Sequence, residues 1–278
     1  MNARKPGTLW VVATPIGNLG DLSDRAREVL RDVAVVAAED TRHTRPLLKH
    51  FGIPTPLTAL HEHNERAAVP ALLARLEGGE DAALVSDAGT PLISDPGFRL
   101  VRAAREAGLQ VSPVPGACAA IAALSVAGLP SDRFVFEGFL PAKSAARRAR
   151  LRTLAGEPRT LVFYESSHRI DGCCADLVDA FGAEREAALL REITKLHETH
   201  LGSTLGEIAV RVADDPEQRM GEFVLVVAGR GEDADAKLAE GQRVYALLRA
   251  ELAPAQSAKL AAAISGAPRK ALYGSVKE

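Results

Sequence analysis

The sequence predicts two successive α/β domains followed by a short all-helical tail. Short, near-continuous apolar runs recur between residues 9 and 227 and alternate with helical periodicity, the pattern of strands buried on both faces beneath covering helices. Most of these runs end in polar loops rich in Gly, Pro, Ser and Asp, which open α/β sheets place around a ligand crevice. At 278 residues, 47% hydrophobic and 25% charged, the chain is long enough for two ordinary domains with sizeable cores. The expected division is 1–128 for the first α/β domain, 129–231 for the second and 235–278 for the tail.

Taken in order, Leu9 to Ala13 reads as a buried strand that ends in the turn Thr14-Pro15-Ile16-Gly17-Asn18. Helical spacing follows, with Leu22, Ala26, Val29 and Leu30 on one face. A second strand over 33–38 runs into Glu39-Asp40-Thr41-Arg42-His43-Thr44, and a short helix is expected over 44–51. A short strand over 57–60, an amphipathic helix over 65–76 and a strand over 82–85 lead to the most informative loop, Ser86 to Gly97. The next helix, 97–107, stops at Gly108, a C-cap signal. A strand over 110–114, the loop Pro115-Gly116 and an Ala-rich helix over 117–126 complete the first half, which implies a mostly parallel sheet.

The break at Ala127 to Asp132 marks the boundary. Beyond it come a strand over 134–140, a helix over 143–155, a strand over 161–164 and a helix over 170–181. Then follow the run 186–192, a polar stretch around His197 to His200, a helix over 204–213 and a final strand over 223–227. Short connections make the last strands antiparallel. Gly229 to Gly241 reads as a polar linker. The tail then forms helices over 242–252, 257–264 and 268–276, the last two joined by Ser265-Gly266-Ala267 as in a helix-turn-helix. It carries seven Lys/Arg against four Asp/Glu over 235–278, net +3, whereas the whole chain is −2.

Composition excludes several classes. A net charge of −2 rules out coating nucleic acid by bulk charge, though not a local basic surface. Cys118, Cys173 and Cys174 have neither disulfide-framework nor zinc spacing, and scattered His pairs do not make a metal site. There is no GxGxxG, Walker lysine loop, GxSxG or HExxH. No signal peptide or membrane span is read, so a cytoplasmic protein is expected. What remains is a set of polar loops at strand ends, 14–18, 39–44, 86–95, 115–119 and 165–169, suited to a zwitterionic ligand held by backbone groups and a carboxylate. A basic run, Lys143, Arg147, Arg148, Arg150 and Arg152, has no acidic residue within 138–156 and is a candidate RNA-facing rim.

Seven segments in fixed order carry a resemblance: Pro15 to Leu19, Glu39 to Arg42, Ser86 to Pro91, Pro115 to Ala117, Gly138 to Pro141, Phe163 to Arg169 and Arg191 to Lys195. Over residues 8–230 the chain resembles the tetrapyrrole methylase family, in the branch that modifies ribosomal RNA, and the tail resembles that branch's C-terminal helix-turn-helix. The resemblance implies two α/β domains with an S-adenosylmethionine (SAM) cleft between them, and a homodimer. The implied activity is 2′-O-methylation of a cytidine ribose in the decoding region of 16S rRNA, acting on the assembled small subunit. It implies cofactor contacts by Pro15, Asp87, Gly89, Thr90, Pro91, Ala117, Cys118, Ala119, Phe163 and Glu165, with Glu222 and Phe223 closing over the adenosine.

Methyl transfer to a hydroxyl is helped by a base, for which Glu39 and Asp40 are the candidates. Arg42, Lys143, Arg147, Arg148 and Arg169 are the candidate RNA contacts. Two alternatives stay open on sequence: a uroporphyrinogen or precorrin C-methyltransferase of the same fold, and a non-catalytic RNA-binding assembly factor.

Overall fold

The computed structural model describes residues 5–231 and 234–273; the end of the helix expected over 268–276 lies outside them. The first half contains β1 (Thr8–Val12), α1 (Asp24–Asp32), β2 (Val35–Ala38), α2 (Thr41–His50), β3 (Leu57–Ala59), α3 (Glu65–Glu77), β4 (Ala82–Val85), α4 (Phe98–Glu106), β5 (Gln110–Val114) and α5 (Ala119–Val126). Its five strands form one parallel sheet in the order β3-β2-β4-β1-β5. Both faces are covered, which is why β2 and β4 read as unbroken apolar runs and are buried at every position. One core lies between the sheet and α1 with α2, around Leu22, Leu30 and Leu48. The other lies beneath α3 and α4, around Leu72, Leu76 and Leu100.

The second half contains β6 (Phe134–Phe139), α6 (Ser144–Leu154), β7 (Thr160–Ser166), α7 (Ile170–Phe181), β8 (Glu186–Arg191), β9 (Thr199–Thr204), α8 (Leu205–Asp214) and β10 (Glu222–Val227). The sheet order is β6-β7-β10-β8-β9, with β6 parallel to β7 and the other pairs antiparallel, as expected for the last strands. The polar stretch after His197 becomes the edge strand β9. Its residues alternate between half-buried and exposed without an apolar signature, so periodicity did not reveal it. Helices α6, α7 and α8 cover one face of this sheet over a core that includes Phe163, Ile170, Leu177 and Phe223.

The other face is covered by α5. Ala120, Ala123 and Leu124 pack with Val162, Leu190, Val224 and Val226 of the second sheet. The helix that leaves the first sheet is therefore part of the second core, although it precedes position 128.

Two further differences follow from local chemistry. Helix α2 begins at Thr41, three residues before the expected start, because the Asp40 side chain accepts the Arg42 N–H and caps it. The linker is shorter than expected, since α9 (Ala234–Leu248) already occupies 234–241. Helix α9 packs with α10 (Pro254–Ser265) and α11 (Arg269–Tyr273) around Val244, Tyr245, Ala258, Ala261 and Leu272. Gly241, read in sequence as loop punctuation, is instead a close-contact residue. A Cβ there would sit 2.8 Å from Ala267 Cβ and from Ser265 Oγ, and 2.9 Å from Leu272.

Gly241→Val is therefore expected to overpack the tail, at a cost of about 1–3 kcal/mol. Hydrogen exchange over 234–273 should accelerate while the cores of the two sheets keep their protection.

Candidate functional site

Three loops at the carboxyl ends of the first sheet are laced together. After β1 and β4, Thr14 and Gly89 exchange backbone hydrogen bonds of 2.9 and 3.1 Å. The Thr90 hydroxyl donates to the Ala117 carbonyl at 2.9 Å, which ties in the loop after β5. Gly89 has φ +80°, and a Cβ would lie 3.2 Å from Ile16 and 3.6 Å from the Ala117 oxygen. Glycine is required there both by backbone conformation and by close approach.

The second sheet supplies the opposite wall. Tyr164 accepts the Ala120 N–H at 3.0 Å, satisfying an otherwise orphaned donor at the start of α5. The turn after β8 reaches back across the gap, and its Lys195 stem lies over Gly17, so that any Cβ at Gly17 would overlap it. Lys195 Nζ is held between Glu192 at 2.9 Å and Glu222 at 2.8 Å. Leu92 and Ser94 on one wall, and Glu192 and Thr194 on the other, all adopt positive φ between 51° and 74°. Such backbone costs on the order of 1–3 kcal/mol per residue and persists only where the surroundings fix it.

Between the walls lies a cleft of about 320 Å³, bordered by Glu39, Asp87, Asp95, Glu192, Glu222, Lys195 and the aromatic rings of Phe139 and Tyr164. That volume is within the range of small-molecule sites, roughly 300–1,000 Å³. Its lining is strongly anionic. Burial pushes the Asp95 carboxyl up to about 6, against a hydrogen bond from Ser86 and with help from the charges of Glu39 and Asp87. Burial also raises Glu39, followed by the charge of Asp87. Burial works against the Lys195 ammonium, but hydrogen bonds to Glu222 and Glu192 outweigh it and its pKa is raised. A ligand with an apolar planar part and net positive charge is complementary to such a lining.

The expected site residues fall into three groups. Glu39, Asp87, Gly89, Thr90, Cys118, Ala119 and Glu165 border the cleft, as do Glu222 and Phe223. Pro15 and Ala117 are half-buried in the loops that shape it, and Pro91 is buried behind them.

Phe163 requires correction. It is fully buried in the core beneath α6 and α7, because alternation along β7 turns Tyr164, not Phe163, toward the first domain. Glu165 borders the cleft, but its carboxylate accepts the Ser166 N–H and lies 3.1 Å from the Arg169 guanidinium. Arg169 also donates to the Leu140 carbonyl, so it braces the second domain rather than standing free for a nucleotide.

Among the candidate RNA contacts, Arg147 also requires correction. It is buried and donates to Asp176 at 2.7 Å, an acid 29 residues away in sequence that helical spacing alone could not anticipate. Arg150 is paired with Glu137. Lys143 and Arg148 remain exposed, and Arg42 is exposed at the start of α2, paired with Asp40. Hydrogen bonds from Arg42 hold the Asp40 carboxyl well below the usual carboxylate range, which suits a cap more than a base. Tyr164, Asp95, Glu192 and Lys195 were not among the expected site residues. Asp95 lay within the polar loop 86–95, Glu192 and Lys195 within the segment Arg191 to Lys195, and Tyr164 between the expected Phe163 and Glu165.

The model for Tetrapyrrole (Corrin/Porphyrin) Methylases matches residues 8–209, and that for the RsmI C-terminal HTH domain matches 235–274. The chain is 63% identical over 269 residues to ribosomal RNA small subunit methyltransferase I of Xylella fastidiosa, covering 97% of this chain and 98% of the relative. It is 58% identical to the protein of the same name from Pseudomonas aeruginosa, covering 96% and 95%. The fold is similar to uroporphyrin-III-C-methyltransferase from Thermus thermophilus, with a TM-score of 0.56 at 23% identity over 80% of this chain and 94% of that one. It is also similar to cobalt precorrin-4 methyltransferase, with a TM-score of 0.59 at 14% identity over 80% and 94%. Two sheets, a cleft between them and a matched helical tail thus agree with matches that span nearly the whole chain, and the protein belongs to the tetrapyrrole (corrin/porphyrin) methylase family.

Proposed function

We propose that this protein transfers the methyl group of SAM to the ribose 2′-hydroxyl of a cytidine in the decoding region of 16S rRNA. The observation that carries the reading is similarity at 63% identity that extends over 97% of the chain, helical tail included, to a protein named for small-subunit rRNA methylation. The likeness to tetrapyrrole enzymes is confined to the fold, at 14–23% identity, and does not favour a tetrapyrrole substrate. The cleft suits SAM in volume, in its aromatic flank and above all in charge, since SAM carries a net positive charge and the walls are lined with carboxylates.

When bound, SAM supplies an electrophilic methyl group. The protein's part is to align that methyl with the incoming oxygen. Asp87, Asp95 and Glu39 favour a cation in the cleft, Tyr164 and Phe139 flank it, and the Gly89 and Thr90 backbone lies close enough to contact it. The ribose must be presented out of its local stack, which favours the splayed RNA of an assembled small subunit over naked duplex. Lys143, Arg148 and Arg42 supply exposed positive charge for RNA, and the tail adds its own net +3. A homodimer working in the cytoplasm, where small subunits are found, completes the proposal.

Small subunits from cells that lack this protein, incubated with the protein and radiolabelled SAM, should take label on a single 16S rRNA ribose; label on a tetrapyrrole instead would overturn the proposal. SAM affinity should fall as pH drops through about 6, because the Asp95 carboxylate is charged above that value and neutral below it. Isothermal titration calorimetry should show that limb diminished in Asp95→Asn, leaving the contribution of Glu39. Lys143→Ala with Arg148→Ala should weaken subunit binding and reduce its salt slope. Arg147→Met should instead cost about 3 kcal/mol in denaturant unfolding, the low end for breaking a buried pair, because Asp176 loses its closest cation and keeps only the Ser144 hydroxyl and Arg148 at 3.8 Å; the salt slope should be unchanged.

A further inference from the structure

At the rim of the cleft, His43 on the first turn of α2 meets Asp87 of the loop after β4. His43 Nδ1 lies 2.9 Å from Asp87 Oδ2. The other oxygen, Oδ1, accepts the Asp40 backbone N–H at 2.9 Å, so the carboxylate is fixed at both ends. A carboxylate held this way sets the ring's orientation and keeps the proton of the neutral imidazole on Nδ1. Nε2 is then the basic nitrogen. The His43 side chain is 68% exposed, and Nε2 makes no hydrogen bond among the described residues. Asp87, which holds the ring, lines the cleft, and α2, which carries His43, begins two residues after Glu39, another lining residue.

We propose that His43 is the general base that accepts the 2′-hydroxyl proton, with Asp87 as its positioning residue. The inference rests on the methyl transfer proposed above. The division of labour follows from location. Glu39 and Asp95 lie within the cleft, where negative charge favours the cationic cofactor. Asp40 is committed to capping α2 and to Arg42. His43 stands on the solvent side of Asp87, 68% exposed and beside the exposed cation Arg42, where a ribose approaching the cleft from outside could reach it. In the step, a 2′-oxygen lone pair forms the new bond to the methyl carbon while the sulfur–methyl bond breaks and its electron pair remains on sulfur. The hydroxyl proton passes to Nε2 and is later released to water, leaving a methyl ether and S-adenosylhomocysteine.

The charged groups around His43 are Asp87 from the loop after β4, and Asp40 and Arg42 from its own helix end. The hydrogen bond to Asp87, then its charge, raises the imidazole above its ordinary value. The basic form is neutral, so turnover at saturating SAM should fall as pH drops through that raised value. Asp87→Asn should move this acidic limb to lower pH.

The test uses the full chain and hypomethylated small subunits. His43→Ala and His43→Gln should lower kcat by about 10²–10⁴-fold while SAM affinity measured by calorimetry stays within about threefold. Added imidazole should restore part of the His43→Ala rate. In the free protein, the His43 ring resonances should titrate above the ordinary histidine range, and Asp87→Asn should lower that midpoint together with the kinetic limb. The proposal is overturned if the His43 variants keep both their rate and the acidic limb, or if their loss is wholly one of SAM affinity. It also falls if imidazole restores nothing. A wild-type protein that binds SAM yet labels no small subunit overturns the methyl transfer itself, and this inference with it.

Discussion

The architecture depends on where α5 is buried. The chain leaves the first sheet at Val114, crosses a four-residue loop and then enters the core of the second sheet with Ala120, Ala123 and Leu124. Hydrophobic burial at this one helix joins the carboxyl ends of the parallel strands to the cleft-facing side of the other sheet. Small alanine side chains let the helix approach closely, and Tyr164 satisfies a donor at its first turn. Because α5 follows directly from a loop that shapes the cleft, the same packing sets the spacing of the cleft walls. Lys195 over Gly17, and Ser94 within 2.7 Å of where a Gly138 Cβ would be, close the seam from the other side.

Electrostatics divides the molecule into two zones. The cleft concentrates carboxylates that burial leaves incompletely solvated, and a cationic ligand relieves that cost. The second domain distributes arginines very differently. Arg147 serves Asp176, Arg150 serves Glu137, and Arg169 serves Glu165 and the Leu140 carbonyl. A run of basic residues in sequence is thus mostly an internal brace.

Much of this was legible in the chain itself. Unbroken apolar runs such as Val35 to Ala38 declare a strand buried on both faces, and Gly108 marked a helix end through ordinary capping chemistry. The loops 14–18, 86–95 and 115–119 could be grouped because parallel strands bring their carboxyl ends together. Other features depended on long-range contacts. Nothing near Arg147 in sequence announces Asp176, and β9 takes its conformation from pairing with β8 rather than from its own residues. Phe163 and Tyr164 are both plausible ring donors, and only the register of β7 against β10 decides which one faces the first domain. Gly241 resembled a linker residue because loops and tight helix crossings both favour the smallest side chain.

The left-handed residues on the two walls have a consequence for binding thermodynamics. Leu92, Ser94, Glu192 and Thr194 hold backbone conformations that a flexible loop would abandon. Their ordering is completed during folding, when burial elsewhere can offset it. A ligand entering the cleft then meets walls with little conformational entropy left to lose, so more of its contact energy appears as affinity. The same stiffness penalises ligands of the wrong shape, since the walls cannot readily relax around them. Selectivity in this cleft is thereby set partly at the stage of folding, before any ligand arrives.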